Sequence, residues 1–233
     1  MKKFLSILIL IPLIAWSANP FLAVVARKNV AAAAFTGIFF SGFEDQTDLD
    51  QWPAAPSSWD TNYTSDPLIG SVSAETGTNT TWYCDAFTDD TTGTVYARVA
   101  FKKTVGGTSA AAFRLGLYTS ADVLVAEAYL YNDSSPQKFY RIYAADSTTS
   151  GFAPATANAF DDATYWLYLT YIRGTSVKAE VLDSGLTVVS SDWTKTHTTT
   201  DSLTIGKVGI TQGAGVHCIF DSVEVRKDTS WGN

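Results

Sequence analysis

The sequence predicts an all-β protein folded as a two-sheet antiparallel sandwich. Three observations carry that expectation. From Gly37 onward, short runs of alternating apolar and polar residues are broken by polar turns, spaced as in sandwiches and barrels. No amphipathic helical run of useful length lies among them, so nothing supplies the crossovers that a parallel sheet needs. The two ends of the region also read as matching strands. Phe39-Phe40-Ser41-Gly42-Phe43-Glu44-Asp45 stands near the start and Cys218-Ile219-Phe220-Asp221-Ser222-Val223-Glu224-Val225 near the end, which predicts that the first and last strands meet.

Residues 1–34 read as a leader. Lys2 and Lys3 precede an apolar run from Leu5 to Ala15, and Ala15-Trp16-Ser17 offers small residues at a cleavage site. The alternative is an uncleaved membrane anchor, since residues 4–26 are just long enough to span a bilayer and Arg27-Lys28 follows. Pro12, Asn19 and Pro20 weaken a continuous spanning helix. Ala32-Ala33-Ala34 is a second candidate cleavage site. Either reading places the folded part outside the cytoplasm, as a secreted or extracytoplasmic protein whose only membrane tie is this segment. The folded domain is expected over residues 35–228, with a tail at 229–233.

Within the domain, residues 45–51 have room for one helical turn. The clearest strand runs follow at 94–103, 111–119, 123–132, 138–145, 164–173, 176–182, 187–191, 203–211 and 216–226. Between them lie turns such as Asp89-Asp90-Thr91-Thr92-Gly93 and Arg173-Gly174-Thr175. In the first run Val95, Ala97, Val99 and Phe101 alternate with Tyr96, Arg98 and Lys102, as in a strand with one buried face. Tyr165-Trp166-Leu167-Tyr168-Leu169-Thr170-Tyr171-Ile172 is apolar on both faces, which predicts a central strand covered on both sides.

Composition narrows the function. Hydrophobic residues make up 46% and charged ones only 17%, enough for a large core. The formal net charge of −7 and the lack of a basic stripe argue against nucleic acid as a partner, because binding phosphates relies on Lys and Arg. Cys84 and Cys218 both sit in strand-like runs, so a disulfide and two buried thiols are both open. With no Cys/His cluster, zinc has no ligand set.

Three pieces together resemble the concanavalin A-like jelly-roll superfamily, the lectin, laminin-G and glucanase group. The first is Phe40-Ser41-Gly42-Phe43-Glu44-Asp45 followed by Leu49-Asp50-Gln51-Trp52. The second is the run from Tyr165 through Gly174 to Val181, similar to that family's central hairpin. The third is Ile205-Gly206-Lys207-Val208-Gly209-Ile210 leading to Phe220-Asp221-Ser222-Val223-Glu224-Val225, like its closing pair. The resemblance spans nearly all of residues 37–226 and implies a concanavalin A-like jelly roll. That fold hosts lectins, glycan hydrolases, lyases and adhesive domains, so it does not settle function. In several members a calcium ion ties the first strand to the last. Here Glu44, Asp45 and Asp221 match such ligands in type and place, against the plainer reading of acids ending strands at a solvated edge.

The glucanase branch carries alternate carboxylates near Glu-x-Asp-x-Glu, a spacing that suits the pair about 5 Å apart used by retaining glycosidases. This chain lacks it: Glu180 and Asp183 fall on opposite faces, and Glu127 has no acidic neighbour two residues away. A lyase would want a His or Tyr base beside Arg. Arg114, Tyr140, Arg141, His197 and His217 supply the types without a spacing. Surplus aromatics remain. Trp or Tyr stacks on sugar rings while Arg and Asn bind hydroxyls, so Arg114, Tyr131, Asn132, Tyr140 and Arg141 are the candidate carbohydrate-binding residues. The expected function is a non-catalytic carbohydrate-binding or adhesive domain, bacterial or phage-borne, whose partner is a glycan or cell-surface polysaccharide. A divergent polysaccharide hydrolase or lyase is the alternative, and a structural or virion-assembly role is the second.

Overall fold

The computed structural model describes residues 39–44, 51–52, 59–75, 81–84, 93–105, 113–132, 138–145, 153–155, 163–189, 194–212 and 217–227. The leader, residues 45–50 with Asp45 among them, and the turn at 89–92 lie outside these residues. All described regular structure is strand, arranged as two antiparallel sheets.

The larger, eight-stranded sheet has as its spine β5 (Thr94–Val105), with β10 (Tyr165–Ile172) on one side and β14 (His217–Lys227) on the other. Beyond β10 come β11 (Ser176–Asp183) and β12 (Thr194–Thr198); beyond β14 come β3 (Ser73–Glu75) and β2 (Asp60–Tyr63). Strand β1 (Phe39–Ser41) pairs with β14 in the register Phe39↔Val225 and Ser41↔Val223. The first and last strands therefore meet as expected. The smaller, six-stranded sheet runs β4 (Thr81–Cys84), β13 (Lys207–Gln212), β6 (Phe113–Tyr118), β7 (Leu124–Asn132), β8 (Lys138–Ala144) and β9 (Ala153–Ala155).

Alternation decides the faces. Val95, Ala97, Val99 and Phe101 of β5 are buried between the sheets, with Leu167, Leu169 and Tyr171 of β10 and Val223 and Val225 of β14 beside them. From the smaller sheet, Trp82, Leu115, Leu117, Ala128, Leu130, Ile142, Val208 and Ile210 close the core from the other side. One end is aromatic: Phe43 packs edge-on against Phe220 at 5.3 Å, and Trp52 lies 5.0 Å from Trp82. Phe43 holds a left-handed backbone, φ 57°, a cost its fully buried ring offsets. The hairpin between β10 and β11 is pinned from Tyr165↔Asp183 to Ile172↔Ser176, and its turn uses Gly174 at φ 63°.

Two local expectations change. Residues 187–189 of the run expected as a strand form only an isolated bridge, Leu182↔Val188, after the turn at Ser184-Gly185 and Leu186 at φ 64°. The strand expected from residue 203 begins at Lys207. Trp166, on the outer face of the larger sheet and out of phase with Leu167 and Leu169, is only 3% exposed, so this central strand is covered on both faces as expected. Cys84 and Cys218 are both buried, and no disulfide joins them.

Candidate functional site

Each sheet turns one face away from the core, and the two outer faces differ in how their polar groups are spent. On the larger sheet, Arg98 gives its Nε and Nη2 to Glu224 Oε2 at 2.8 and 2.6 Å, and its Nη1 to the Tyr168 hydroxyl at 2.7 Å. Arg226 Nε holds the other Glu224 oxygen at 2.6 Å, and the Arg98 guanidinium lies 4.9 Å from the Trp166 ring. Burial raises the Tyr168 phenol above its usual range, against the lowering effect of Arg98. This is a closed network in which the Arg98 fork is fully engaged.

The outer face of the smaller sheet is built differently. Its register opposes Gly209 to Gly116, leaving two adjacent positions without side chains. The Tyr118 ring lies across them: a Cβ on Gly116 would fall 2.6 Å from that ring and one on Gly209 2.7 Å from it. The Tyr118 hydroxyl reaches the Thr211 and Thr81 hydroxyls, which share a 2.6 Å hydrogen bond. Burial, with Glu127 and Tyr83 adding to it, pushes the phenol far upward, so it stays a protonated donor. Tyr83 meets the Tyr118 ring edge-on at 4.9 Å, and Lys207 stands over Tyr83 while paired with Asp122 at 2.8 Å.

Next to this floor sits Arg114. Its guanidinium lies 4.2 Å above the Tyr129 ring, and its Nη1 is 3.8 Å from Glu127 Oε1. Glu127 and Tyr129 are each 6% exposed, whereas the Arg114 side chain is 32% exposed. Its Nε is buried without a hydrogen-bond partner. The arrangement is a guanidinium over an aromatic ring, with its side chain partly open to solvent.

Of the expected carbohydrate-binding residues, Arg114 is thus placed on a polar, aromatic face. The side chains of Tyr131, Asn132, Tyr140 and Arg141 lie outside the described residues, and the backbone gives only their register. Tyr131 pairs with Phe139 and Arg141 with Tyr129, in phase with the outer face, while Tyr140 pairs with Leu130 and Asn132 with Lys138, in phase with the core residue Ile142. Neighbours in sequence on one strand therefore fall on opposite phases. Sequence reasoning weighed Glu127 only as a lone carboxylate and did not join it, Tyr129 or the Gly116–Gly209 pair to Arg114. Cross-strand register joins them, and one strand's pattern does not contain it.

The expected calcium ligands meet a different environment. Glu44 accepts the Ser71 N–H at 2.9 Å and the Val72 N–H at 3.4 Å on Oε1. Asp221 is fully buried; its Oδ2 accepts from the Ser73 hydroxyl at 2.8 Å and the Ile69 N–H at 3.2 Å, and its Oδ1 from the Ser222 N–H at 2.5 Å. Burial drives the Asp221 carboxyl well above the usual carboxylate range; these donors pull it back in part, and Glu44 adds to the rise. Donors from residues 69–73 thus occupy oxygens of both Glu44 and Asp221. Among the described residues no group of three or more His, Cys, Asp or Glu gathers as ligands.

No family model matches the chain, and no curated protein matches it in sequence. Solved structures do match in fold. A carbohydrate-binding CBM2 module of the evolved Dit of Lactobacillus casei BL23 phage J-1 superposes with TM-score 0.57 at 13% identity, covering 84% of this chain and 98% of the module. A conserved carbohydrate esterase from the Shiga toxin-encoding bacteriophage phi24B gives TM-score 0.57 at 14% identity, over 83% of this chain and 99% of that one. A legume lectin-like domain from Entamoeba histolytica gives TM-score 0.54 at 7% identity, over 84% and 100%. The fold class is a lectin-type jelly roll. More particularly it is concanavalin A-like, as the three sequence pieces implied.

Proposed function

We propose that this is an extracytoplasmic, non-catalytic carbohydrate-binding or adhesive domain that meets its glycan on the outer face of the six-stranded sheet. The observation that carries the reading is the Arg114 guanidinium, 4.2 Å over the Tyr129 ring with its side chain partly exposed, on a face floored by tyrosines. Sugars are recognised by such a combination, because aromatic surfaces take their C–H faces while fixed donors take their hydroxyl oxygens. The corresponding Arg98 on the other sheet has no such capacity left. The phage carbohydrate-binding module and the lectin-like domain, whose folds this chain shares, support the same class of ligand.

The non-catalytic part rests on the carboxylates. Among the described strand residues of this face Glu127 is the only one, and it stands against Arg114. Retaining glycosidases use two carboxyl groups about 5 Å apart. The test is a glycan array read with the wild type and with Arg114→Ala. Binding that Arg114→Ala weakens by about tenfold or more supports the reading. Silence across a broad array, or release of shortened products from a bound polysaccharide, overturns it.

A further inference from the structure

The register of the six-stranded sheet sets the reach of the ligand on this face, an inference that rests on reading the face as a glycan surface. One row of paired residues crosses five strands. Tyr83 of β4 pairs with Gly209, Gly209 with Gly116, Gly116 with Glu127, and Glu127 with Tyr143 of β8. Each is out of phase with the core residues of its own strand, as Tyr83 is with Cys84 and Tyr143 with Ile142, so the row lies on the outer face. Its three middle positions are buried, and its ends, Tyr83 and Tyr143, are half-buried. The tyrosines between them offer little ring surface. Tyr118 lies on the glycine backbone and Tyr129 under the Arg114 guanidinium, each 6% exposed. Among the described residues, the aromatic surface left open on this face therefore stands at the two ends of one row.

We infer that this face takes an internal stretch of an extended polysaccharide chain, laid across the strands, with one sugar stacked on Tyr83 and another on Tyr143. Neighbouring strands lie about 4.8 Å apart, so the two rings stand about 19 Å from one another. Each sugar of an extended β-linked chain advances by about one strand spacing, so roughly four to five sugars join the two rings. A single sugar or a disaccharide reaches one ring only. The floor between them is low. Gly209 and Gly116 carry no side chain and the Tyr118 ring rests across both; a Cβ at either would fall 2.7 or 2.6 Å from that ring and lift it. Arg114, two residues along β6 from Gly116 and 32% exposed at its side chain, flanks the middle of the row. Lys207, 5.8 Å from the Tyr83 ring centre, flanks one end. Their side-chain nitrogens border the path of the chain, where hydroxyl oxygens accept.

The test is calorimetric titration of the full-length protein with linear β-linked oligomers of glucose, xylose, mannose and N-acetylglucosamine, each from dimer to octamer. Affinity should rise by about tenfold or more between trimer and pentamer, where the second ring is reached, and level off beyond. Tyr83→Ala and Tyr143→Ala should each abolish that step and leave the trimer within about threefold of wild type, because a short oligomer still finds the other ring. Tyr96→Ala, which removes a half-buried tyrosine from the outer face of the larger sheet, should leave the step intact. A dimer that binds as tightly as the longer oligomers, a step that survives in both folded alanine variants, or binding confined to terminal or branched sugars on the array overturns the inference and leaves the glycan surface standing. Silence toward every glycan overturns both. If one alanine variant fails to fold, the wild-type step and the other variant decide.

Discussion

Gly70→Ala should be one of the costliest small substitutions in the protein, for two separable reasons. Gly70 sits at φ 75°, a left-handed backbone that costs an L-residue about 1–2 kcal/mol. A Cβ there would also fall 1.9 Å from Glu44 Oε1 and 2.6 Å from its Cδ, so the carboxylate must leave the cradle formed by the Ser71 and Val72 N–H groups. Those bonds are partly solvated, which limits their loss to about 0.5–1.5 kcal/mol. The sum is about 1.5–3.5 kcal/mol, measured as the shift in urea midpoint at constant m. Glu44→Ala alone should cost only the second part. In the Gly70→Ala background it should cost nothing more, because the carboxylate is already displaced. A Gly70→Ala penalty below about 0.5 kcal/mol, or strict additivity of the two changes, would refute the cradle.

Three further outcomes follow from the same geometry. Melting temperature should not move between millimolar calcium and excess chelator, because loop donors already satisfy Glu44 and Asp221; a rise with calcium that Asp221→Ala abolishes would show a metal site after all. Burial raises the folded-state pKa of Asp221, so its contribution is full below the unfolded carboxylate value and is lost as pH rises through the folded value; urea midpoints against pH should show that decline in wild type and lack it in Asp221→Asn. Trp166→Ala should cost about 3 kcal/mol in urea unfolding, since the ring is 3% exposed and carries the Arg98 guanidinium, and a loss under about 1 kcal/mol would mean the outer face of the larger sheet is not sealed there.

The long strands were legible because burial on one face writes itself into alternate residues, as in Val95 to Phe101 and Ser176 to Leu182. The meeting of β1 with β14 was legible from the paired end signals. The short strands Asp60–Tyr63 and Thr194–Thr198 were not, because polar edge strands carry no apolar alternation and take their order from one neighbour. At the chain ends, the donors that meet Glu44 and Asp221 come from residues 69–73, a short segment with no alternation to single it out. The candidate site was half visible. Arg114 stood out as a residue type, while Tyr129 and Glu127 became its neighbours only through the pairing of β6 with β7. Trp166 is buried on the outer face, as the two-sided apolar pattern of its strand predicted, but that pattern does not name the Arg98 guanidinium it meets.

The most direct test of the central claim is to map a bound saccharide onto the backbone by amide chemical-shift perturbation, using whichever oligosaccharide binds on the array. The amides of Arg114, Gly116, Glu127 and Gly209 should move along the titration while those of Arg98, Tyr168 and Glu224 stay fixed. Shifts concentrated on Arg98, Trp166 and Glu224, with the Gly116–Gly209 pair unmoved, would contradict the assignment of the glycan surface to the six-stranded sheet.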